Sequence, residues 1–149
     1  MSQVTRRAQG PDVDRLVPLV RTYWEFERIG SFDAHRIGQL LKELIRSPDR
    51  GTIWIADLNG TAVAYLICVY AFSLEHGGMM AEIDEFFVAA SHRTTGIGSD
   101  LLRAAEQAMR QIRVARIQLQ LSRDNIAARR FYQRHGYHPR PFDLLDKIP

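Results

Sequence analysis

The clearest chemical pattern in this sequence is a loop with two glycines, Arg93-Thr94-Thr95-Gly96-Ile97-Gly98. It lies between a run of strand-forming residues and an amphipathic run typical of a helix. Glycine lets the main chain come close to a ligand because it has no Cβ, and the first amides of a helix attract negative charge. The loop therefore predicts a main-chain cradle for phosphate groups. Arg93 and the hydroxyls of Thr94, Thr95 and Ser99 can add side-chain contacts.

Two common nucleotide-binding motifs do not fit this loop. A Rossmann fingerprint needs a third glycine, where this chain has Leu101, and an acidic residue about 20 positions later. No acidic residue lies between Glu106 and Asp124. A P-loop needs a Gly-Lys-Ser/Thr segment, and no lysine is close to the loop. The pattern therefore predicts phosphate binding of another kind.

The charge distribution is consistent with an anionic ligand. Residues 1–91 carry nine Lys/Arg and twelve Asp/Glu, whereas residues 92–140 carry ten arginines and three acidic residues. A basic region attracts nucleotide phosphates, although arginines on solvated helix faces explain the asymmetry equally well. Nucleic acid is the rival anion, but these arginines lack the interleaved aromatic rings on which bases stack. We therefore expect no nucleic-acid partner.

The hydropathy pattern predicts strands and helices on both sides of the loop. Strands are expected at residues 3–8, 52–57, 61–71, 81–88 and 117–121, with a last short strand from Tyr137 that Pro139 and Pro141 interrupt. Helices are expected from Asp12 or Asp14 to near Gly30, and at about residues 33–46, 98–110 and 126–135. Asn59-Gly60 is a strong hairpin signal, Asp33 a candidate N-cap and Gly136 a candidate C-cap.

Length and composition favour a single domain over residues 1–149. Cys68 is the only cysteine, so the chain forms no internal disulfide. The longest apolar run, residues 62–72, is too short to cross a bilayer as a helix, and the N-terminus does not look like a signal peptide. We expect a cytoplasmic protein without a membrane partner. The five histidines show no metal-ligand spacing, so no metal site is expected.

Two blocks of the sequence resemble the GCN5-related N-acetyltransferase (GNAT) family. The first is Asp84-Glu85-Phe86-Phe87-Val88, followed five residues later by Arg93-x-x-Gly96-x-Gly98 and an apolar helix. The second, residues 125–137, is similar to the family pattern Asn-x-x-Ala-x-x-x-Tyr-x-x-x-Gly-Phe, with Tyr137 in place of Phe. Together the blocks cover about residues 80–140, in the order and spacing of the family.

The resemblance implies an α/β (α+β) fold: a mixed, mostly antiparallel central sheet of about six to seven strands, flanked by about four helices, with strands four and five splayed. It also implies acetyl-CoA as the cosubstrate. The pantetheine arm would enter the splayed gap and pair with strand four. By position, the cofactor-binding residues are Phe86, Phe87 and Val88 for pantetheine; Arg93, Thr94, Thr95, Gly96, Ile97, Gly98 and Ser99 for the pyrophosphate; and Asn125, near the pantetheine or holding the following helix.

The resemblance also implies catalytic residues. Tyr132 matches the general acid of the family, whose phenol can protonate the leaving thiolate. Many members carry a Glu on strand five where this chain has Gln120, so the base must lie elsewhere or be water. Glu85 is our first choice, because a carboxylate between Ile83 and Phe87 on one strand face needs a reason to be there; Asp84, expected on the opposite face, is the second.

The acceptor is the least determined part. The strand-four and loop segments are most similar to those of diamine acetyltransferases, which implies that Glu25, Phe26 and His76 line the acceptor site. The acidic balance of residues 1–91 suits a small cationic amine, but also a lysine or N-terminal amine of a protein. Gln120 leaves room for a non-catalytic acyl-CoA-binding regulatory module. The oligomeric state stays open, with a homodimer as one option.

Overall fold

A computed structural model describes residues 2–149. These residues form two compact units, one that ends at Leu119 and one that comprises Gln120–Pro149. The first unit contains β1 (Gln3–Arg7), α1 (Val13–Phe26), α2 (Ala34–Ile45), β2 (Gly51–Leu58), β3 (Thr61–Ser73), β4 (Gly78–Val88), α3 (Ile97–Gln111) and β5 (Arg116–Leu119). The second unit contains α4 (Ile126–Arg134). Four α-helices are thus present in the described residues, as expected.

The strands form one mixed sheet in the order β1-β2-β3-β4-β5. The first three pairings are antiparallel, and β4 pairs with β5 in parallel. The hairpin between β2 and β3 turns at Asn59 and Gly60, whose φ angles are 53° and 81°. Asn and Gly accommodate such positive angles, and the predicted hairpin forms. Because three of the four strand pairings are antiparallel and one is parallel, the expected mixed, mostly antiparallel sheet is confirmed.

Strands β4 and β5 splay apart, as the resemblance implied. Their parallel pairing runs from Met80 opposite Arg116 to Ile83 opposite Leu119 and ends there. Strand β4 continues for five more residues, to Val88, along its pairing with β3. The final stretch of β4 therefore extends beyond its partner on the β5 side.

The expected number of strands was too high. Five strands occur among residues 2–149, and the strand expected from Tyr137 is absent from this part of the chain, where residues 137–149 form neither helix nor strand. Pro139 and Pro141 each remove a main-chain donor, which a ladder of hydrogen bonds does not tolerate. Gly136 does end α4 with a φ of 87°, as a C-cap glycine should.

The core lies on both faces of the sheet. On one face, α1 and α2 cover alternate residues of β2, β3 and β4; the buried members are Val13, Leu16, Val20, Ile37, Leu41, Ile53, Ile55, Tyr65, Ile67 and Phe87. On the other face lies α3, which buries Leu101, Leu102, Ala105 and Met109 and packs against β2 and β3. Cys68 is fully buried, as expected of a core residue.

A network of ion pairs joins β1, α1 and β2. The Asp12 carboxylate accepts from Arg6 (2.7 Å) and from Arg15, and Arg15 also donates to Asp57 (2.6 Å). The hydrogen bond from Arg6, together with those from Gln9 and Arg15, holds the pKa of Asp12 well below its usual range. The network therefore fixes the start of α1 against the edge of the sheet. Within residues 2–149, none of the helices combines the length and apolar character that crossing a membrane requires.

Candidate active site

A β-bulge interrupts β4 at the start of its splayed stretch. Ile67 of β3 lies opposite Glu85, whereas the next residue, Cys68, lies opposite Ile83, so Asp84 is the extra residue of the bulge. Adjacent residues of β3 face opposite sides of the sheet. Ile83 and Glu85 therefore face opposite sides, and the expectation that they share a face with Phe87 was wrong for Ile83.

The bulge also overturns the expectation that Asp84 and Glu85 face opposite sides. Both residues line a single cavity of about 170 Å³ on the α1/α2 side of the sheet. Its other walls come from α1, α2 and β3: Val20, Trp24, Ile37, Leu40, Leu41, Leu44, Ile67 and Val69. Two carboxylates thus stand at one cavity that is otherwise apolar.

Glu85 is held by two hydrogen bonds. The Tyr65 hydroxyl donates to Glu85 Oε1 (2.7 Å), and the Trp24 indole N–H donates to Oε2 (2.8 Å). Burial raises the pKa of Glu85; these two bonds oppose that rise, and the negative charge of Asp84 adds to it. The orientation of the Glu85 carboxylate is therefore fixed by two aromatic side chains.

Asp84 is the less constrained carboxylate. Burial raises its pKa, and the charge of Glu82 raises it further. The residue as a whole is exposed, so this desolvation is partial. Within residues 2–149, no hydrogen bond or ion pair holds the Asp84 carboxylate. It can therefore accept a proton from an incoming molecule without breaking an existing contact.

Aromatic rings line the face of the splayed stretch. Tyr23 packs edge-on against Tyr65 (6.3 Å between ring centroids) and Phe87 (5.8 Å). The Arg93 guanidinium lies over Phe87 (5.4 Å) and Phe26 (5.1 Å). The Phe87 ring packs in the core, with 5% of its surface exposed.

Arg93 also binds the main chain of β4. Its Nε donates to the Val88 carbonyl oxygen over 3.0 Å. In this arrangement the guanidinium lies on the aromatic rings at the end of β4, rather than against the glycine loop in which Arg93 stands. The resemblance assigned the main chain of Val88 to pantetheine. The Val88 carbonyl oxygen already accepts one hydrogen bond from Arg93, so one lone pair remains for a ligand.

The glycine loop has the geometry of an anion cradle. Thr94 and Gly96 adopt positive φ angles of 62° and 88°, and the first hydrogen bond of α3 runs from Asp100 N to Gly96 O. The amides of Ile97 and Gly98 precede that bond and so have no acceptor within the helix. A Cβ added at Gly96 would meet nothing within 4 Å, so the main chain is open to a ligand there.

The threonine hydroxyls of the loop are turned inward. Thr94 Oγ1 donates to the Arg93 carbonyl (2.6 Å), and Thr95 Oγ1 donates to the His92 carbonyl. Their protons serve the loop itself, so main-chain amides are its main donors toward an anion. A pyrophosphate, which accepts hydrogen bonds at every oxygen, fits such a set of donors.

The second unit holds the other predicted residues. Asn125 is the N-cap of α4, where its side chain accepts from Ala128 N (3.1 Å). Tyr132 is half-buried near the end of α4, where its ring packs against Phe131 (5.4 Å) and Tyr137 (5.5 Å). The resemblance implied that Asn125 either lies near the pantetheine or holds the following helix. The hydrogen bond to Ala128 N corresponds to the second role.

The three predicted acceptor residues are not brought together. Phe26 ends α1 beneath Arg93, and Glu25 beside it is exposed. His76 lies in the turn that precedes β4, and the strand from Gly78 to Phe87 is about 30 Å long at ~3.3 Å per residue. His76 therefore lies at the opposite end of β4 from Phe26.

One residue of the site was missed by sequence reasoning. Tyr65 is fully buried, and its hydroxyl is one of the two donors to Glu85. The available signal was a tyrosine within the apolar run 62–72, since a buried hydroxyl needs a partner. Within residues 2–149, no three His, Cys, Asp or Glu side chains gather into a group that could hold a metal ion.

Comparisons with known proteins agree with this geometry. The family model described as Acetyltransferase (GNAT) family matches residues 14–137. An uncharacterized N-acetyltransferase of Archaeoglobus fulgidus is 32% identical over 130 residues, 85% of this chain and 87% of that protein. The aminoalkylphosphonate N-acetyltransferase of Salmonella typhimurium is 35% identical over 79 residues, 53% of this chain and 51% of that protein. An integron cassette protein from the mobile metagenome of Cole Harbour Salt Marsh superposes with a TM-score of 0.86 at 26% identity, over 97% of this chain and 89% of that chain.

Proposed function

This chain belongs to the acetyltransferase (GNAT) family, and we propose that it moves an acetyl group from acetyl-CoA to the primary amine of a small cationic molecule, by direct attack in a ternary complex. The observation that carries the proposal is the pair Asp84 and Glu85 at one cavity. The pair stands where β4 begins to extend beyond β5. In this proposal, a base, an acceptor site and an open strand edge lie within a few residues of one another.

We further propose that residues 1–149 form a single N-acetyltransferase domain. The family model runs through both compact units, since residues 14–137 span the boundary after Leu119. The predicted cradle belongs to the first unit, whereas Asn125 and Tyr132 belong to the second. The complete set of predicted residues therefore requires both units.

The cradle and the end of β4 would hold the cosubstrate. Acetyl-CoA supplies a thioester carbonyl that is activated for attack by an amine. The amides of Ile97 and Gly98 and the open main chain at Gly96 suit its pyrophosphate. The main chain of Phe86, Phe87 and Val88 would pair with its pantetheine arm, and Arg93 would move from Val88 toward the phosphates or share that carbonyl.

Asp84 is the better placed of the two carboxylates to act as the base. Amines have a pKa near 10, so an acceptor arrives as an ammonium ion and must lose a proton before it attacks. Asp84 has a raised pKa and no competing hydrogen bond among the described residues. Glu85, fixed by Tyr65 and Trp24, would hold the ammonium in place.

The remaining steps fall to the main chain and to Tyr132. The N–C bond would form first, which places negative charge on the carbonyl oxygen. The C–S bond would then break, and the negative charge would pass to sulfur. A main-chain amide near Phe87 or Val88 would stabilise the oxyanion. The ammonium would give its first proton to Asp84, which releases it to solvent before the attack, and the nitrogen would lose its second proton to Asp84 as the amide forms. The Tyr132 phenol would give its proton to the thiolate and regain one from solvent.

We favour a small acceptor over a protein amine. The two carboxylates line a cavity of about 170 Å³ that is partly open to solvent, a volume that a small amine fills. The name of the Salmonella relative describes acetylation of a small aminoalkyl compound, over the half of the chain that it shares. A cytoplasmic location stays a prediction from the sequence.

Thiol release in the presence of acetyl-CoA and a panel of amines tests the proposal. We expect release that depends on both substrates, and a binding isotherm for acetyl-CoA by calorimetry. Asp84→Asn should bind acetyl-CoA normally and lose release, which separates chemistry from binding. Tight binding without release on any small amine would instead favour a regulatory module, and release only with protein substrates would favour a protein acetyltransferase.

A further inference from the structure

The cavity beside Asp84 and Glu85 has two chemically distinct parts. One wall presents the two carboxylates, and the remaining walls are aliphatic except for Trp24. A cation finds a negatively charged partner only at the carboxylate wall. The rest of a ligand whose cation binds there would lie against apolar side chains.

The aliphatic part contains no group that would accept a second cation. Among residues 2–149, Asp84 and Glu85 are the only charged residues that line the cavity. The part of the lining that α2 contributes is Ile37, Leu40, Leu41 and Leu44. A second ammonium placed against the less exposed Leu41 and Leu44 would lose water without gaining a charged partner, which opposes its binding.

The volume sets the size of the group that fits. A cavity of about 170 Å³ is close to the ~150 Å³ engineered cavity that takes up benzene when its walls are Leu, Ile and Phe. A phenyl ring or an alkyl chain of about six carbons therefore fills it. A single ammonium at Asp84 with such a group attached satisfies both parts of the cavity at once.

We propose that the acceptor is an amphipathic monoamine, a primary amine that carries one apolar group of about the size of a phenyl ring, and that the cavity between α1, α2, β3 and β4 is its specificity pocket. The proposal rests on the amine acetyltransferase function proposed above and narrows its acceptor class. It predicts weaker binding of the diamines to which the sequence resemblance pointed, because a second charge directed along α2 would lie against Leu41 and Leu44.

The test compares linear amines from ethylamine to hexylamine, phenethylamine, and 1,6-diaminohexane. Their binding is measured by calorimetry with coenzyme A present, and their turnover by thiol release. Affinity should rise roughly fourfold per added methylene until the cavity is full. Hexylamine should bind at least tenfold more tightly than 1,6-diaminohexane, which has the same length and differs only in the second ammonium. Equal or tighter binding of the diamine, or no dependence on chain length, would overturn the proposal.

A cavity-filling variant locates the effect. Val69→Phe should reduce hexylamine affinity to the level of ethylamine and leave ethylamine unchanged, because the added ring takes the place of the alkyl chain. Val4→Phe, in an exposed position of β1 outside the cavity, should retain the wild-type series. If Val69→Phe does not fold, Leu40→Phe fills the same cavity from a half-exposed position and should behave alike. An unchanged series in a folded cavity variant would refute the assignment.

The two readouts separate this inference from the proposed function. A chain-length series in binding without thiol release would leave the pocket assigned and remove the enzymatic activity. Thiol release without a chain-length series would support the acetyltransferase and remove the pocket.

Discussion

Asp84 and Glu85 are consecutive residues of one strand, and both line the same cavity. In a regular strand, neighbours face opposite sides of the sheet, and the bulge at Asp84 breaks that rule at this point. The bulge lies where β4 loses β5 as its partner, one residue after Ile83. The same irregularity thus brings both residues to the cavity that we propose for the acceptor, at the position where the cosubstrate is expected to enter.

The first prediction concerns the base. Asp84→Asn should lower kcat/KM by about 10²–10⁴-fold, the usual contribution of a general base. In the wild type, protonation of Asp84 removes the base, so kcat/KM falls as pH decreases. Because the pKa of Asp84 is raised by burial and by Glu82, that fall should occur above the ordinary Asp value of ~3.9. The variant should lack this limb of the pH–rate profile.

Glu82→Gln provides the matched control for this assignment. It removes the second cause of the raised pKa of Asp84 and leaves the carboxylate in place. The low-pH limb should shift to lower pH while the plateau rate is retained. If the low-pH fall of kcat/KM does not shift in Glu82→Gln and is still present in Asp84→Asn, the base is Glu85 or water.

The second prediction concerns Glu85. Glu85→Gln replaces one acceptor oxygen by an NH₂ group, so only one of the two donors, the Tyr65 hydroxyl and the Trp24 N–H, keeps its acceptor. An NH₂ group that faces Tyr65 can donate to the hydroxyl oxygen, but the phenolic proton then loses its partner. We expect KM for the amine to rise more than kcat falls, with a loss of stability of about 1–3 kcal/mol from the unsatisfied group. Thermal unfolding and steady-state kinetics measure the two effects. A large loss of kcat at unchanged KM would contradict this positioning role.

The third prediction concerns the phosphate cradle. Gly96→Val should raise the dissociation constant of acetyl-CoA sharply, because a side chain would fill the open space through which the ligand reaches the main chain. The φ of 88° also makes this substitution strained. Gly60→Val is the matched control, since Gly60 has a φ of 81° and equally open surroundings.

Calorimetric titration with acetyl-CoA separates strain from binding. Both variants should lose similar stability, and only Gly96→Val should lose affinity. Equal dissociation constants for the wild type and a folded Gly96→Val would exclude the loop as the cradle.

Local signals predicted most of the fold. Asp33 does cap α2, where its side chain accepts from Arg36 N, and Asn59-Gly60 does turn the hairpin between β2 and β3. Each of these signals acts within four residues, so it is readable from the chain alone. The short strand predicted from Tyr137 does not form, and Pro139 and Pro141 each remove a main-chain donor from that stretch.

The site was less predictable because it depends on pairing between distant residues. The alternation of Ile83, Glu85 and Phe87 looks regular in the sequence, and only the register against Ile67 and Cys68 reveals the bulge. The α2 leucines have the spacing of an ordinary apolar helix stripe, and nothing local indicates that they leave a cavity beside Trp24. The contact of Arg93 with the end of α1 is likewise set by tertiary packing.

The fourth prediction concerns the ion-pair network of Asp12. Because the folded state lowers the pKa of this carboxyl, its stabilisation is present above the unfolded value of ~3.9 and is lost as pH falls toward the folded value. Asp12→Asn should reduce the free energy of unfolding at pH 7 by about 2 kcal/mol, less than for a fully buried pair, because both arginines are partly exposed.

Urea unfolding at several pH values measures this difference, which should shrink below about pH 4. The exposed neighbour Asp14 is the control, and Asp14→Asn should change stability by no more than about 0.5 kcal/mol. A difference between wild type and Asp12→Asn that stays constant down to pH 2 would show that the network is not electrostatic in origin.

The fifth prediction concerns the general acid. Tyr132→Phe keeps the ring that packs between Phe131 and Tyr137, so the protein should stay folded. It removes the proton that would go to the departing thiolate, and we expect kcat to fall by about 10²-fold or more while the dissociation constant of acetyl-CoA is retained. Steady-state thiol release and calorimetry give the two values.

Tyr137→Phe is the matched control, because it removes the same hydroxyl from the adjacent ring of the pair. Its kcat should equal that of the wild type. An acetyl thioester whose thiol has a high pKa has a poor leaving group and depends more on a general acid. The loss of kcat in Tyr132→Phe should therefore be largest with such thioesters and smallest with thioesters of low thiol pKa. Equal defects in the two tyrosine variants would assign the effect to packing of α4, and wild-type turnover in Tyr132→Phe would transfer the proton donation to solvent.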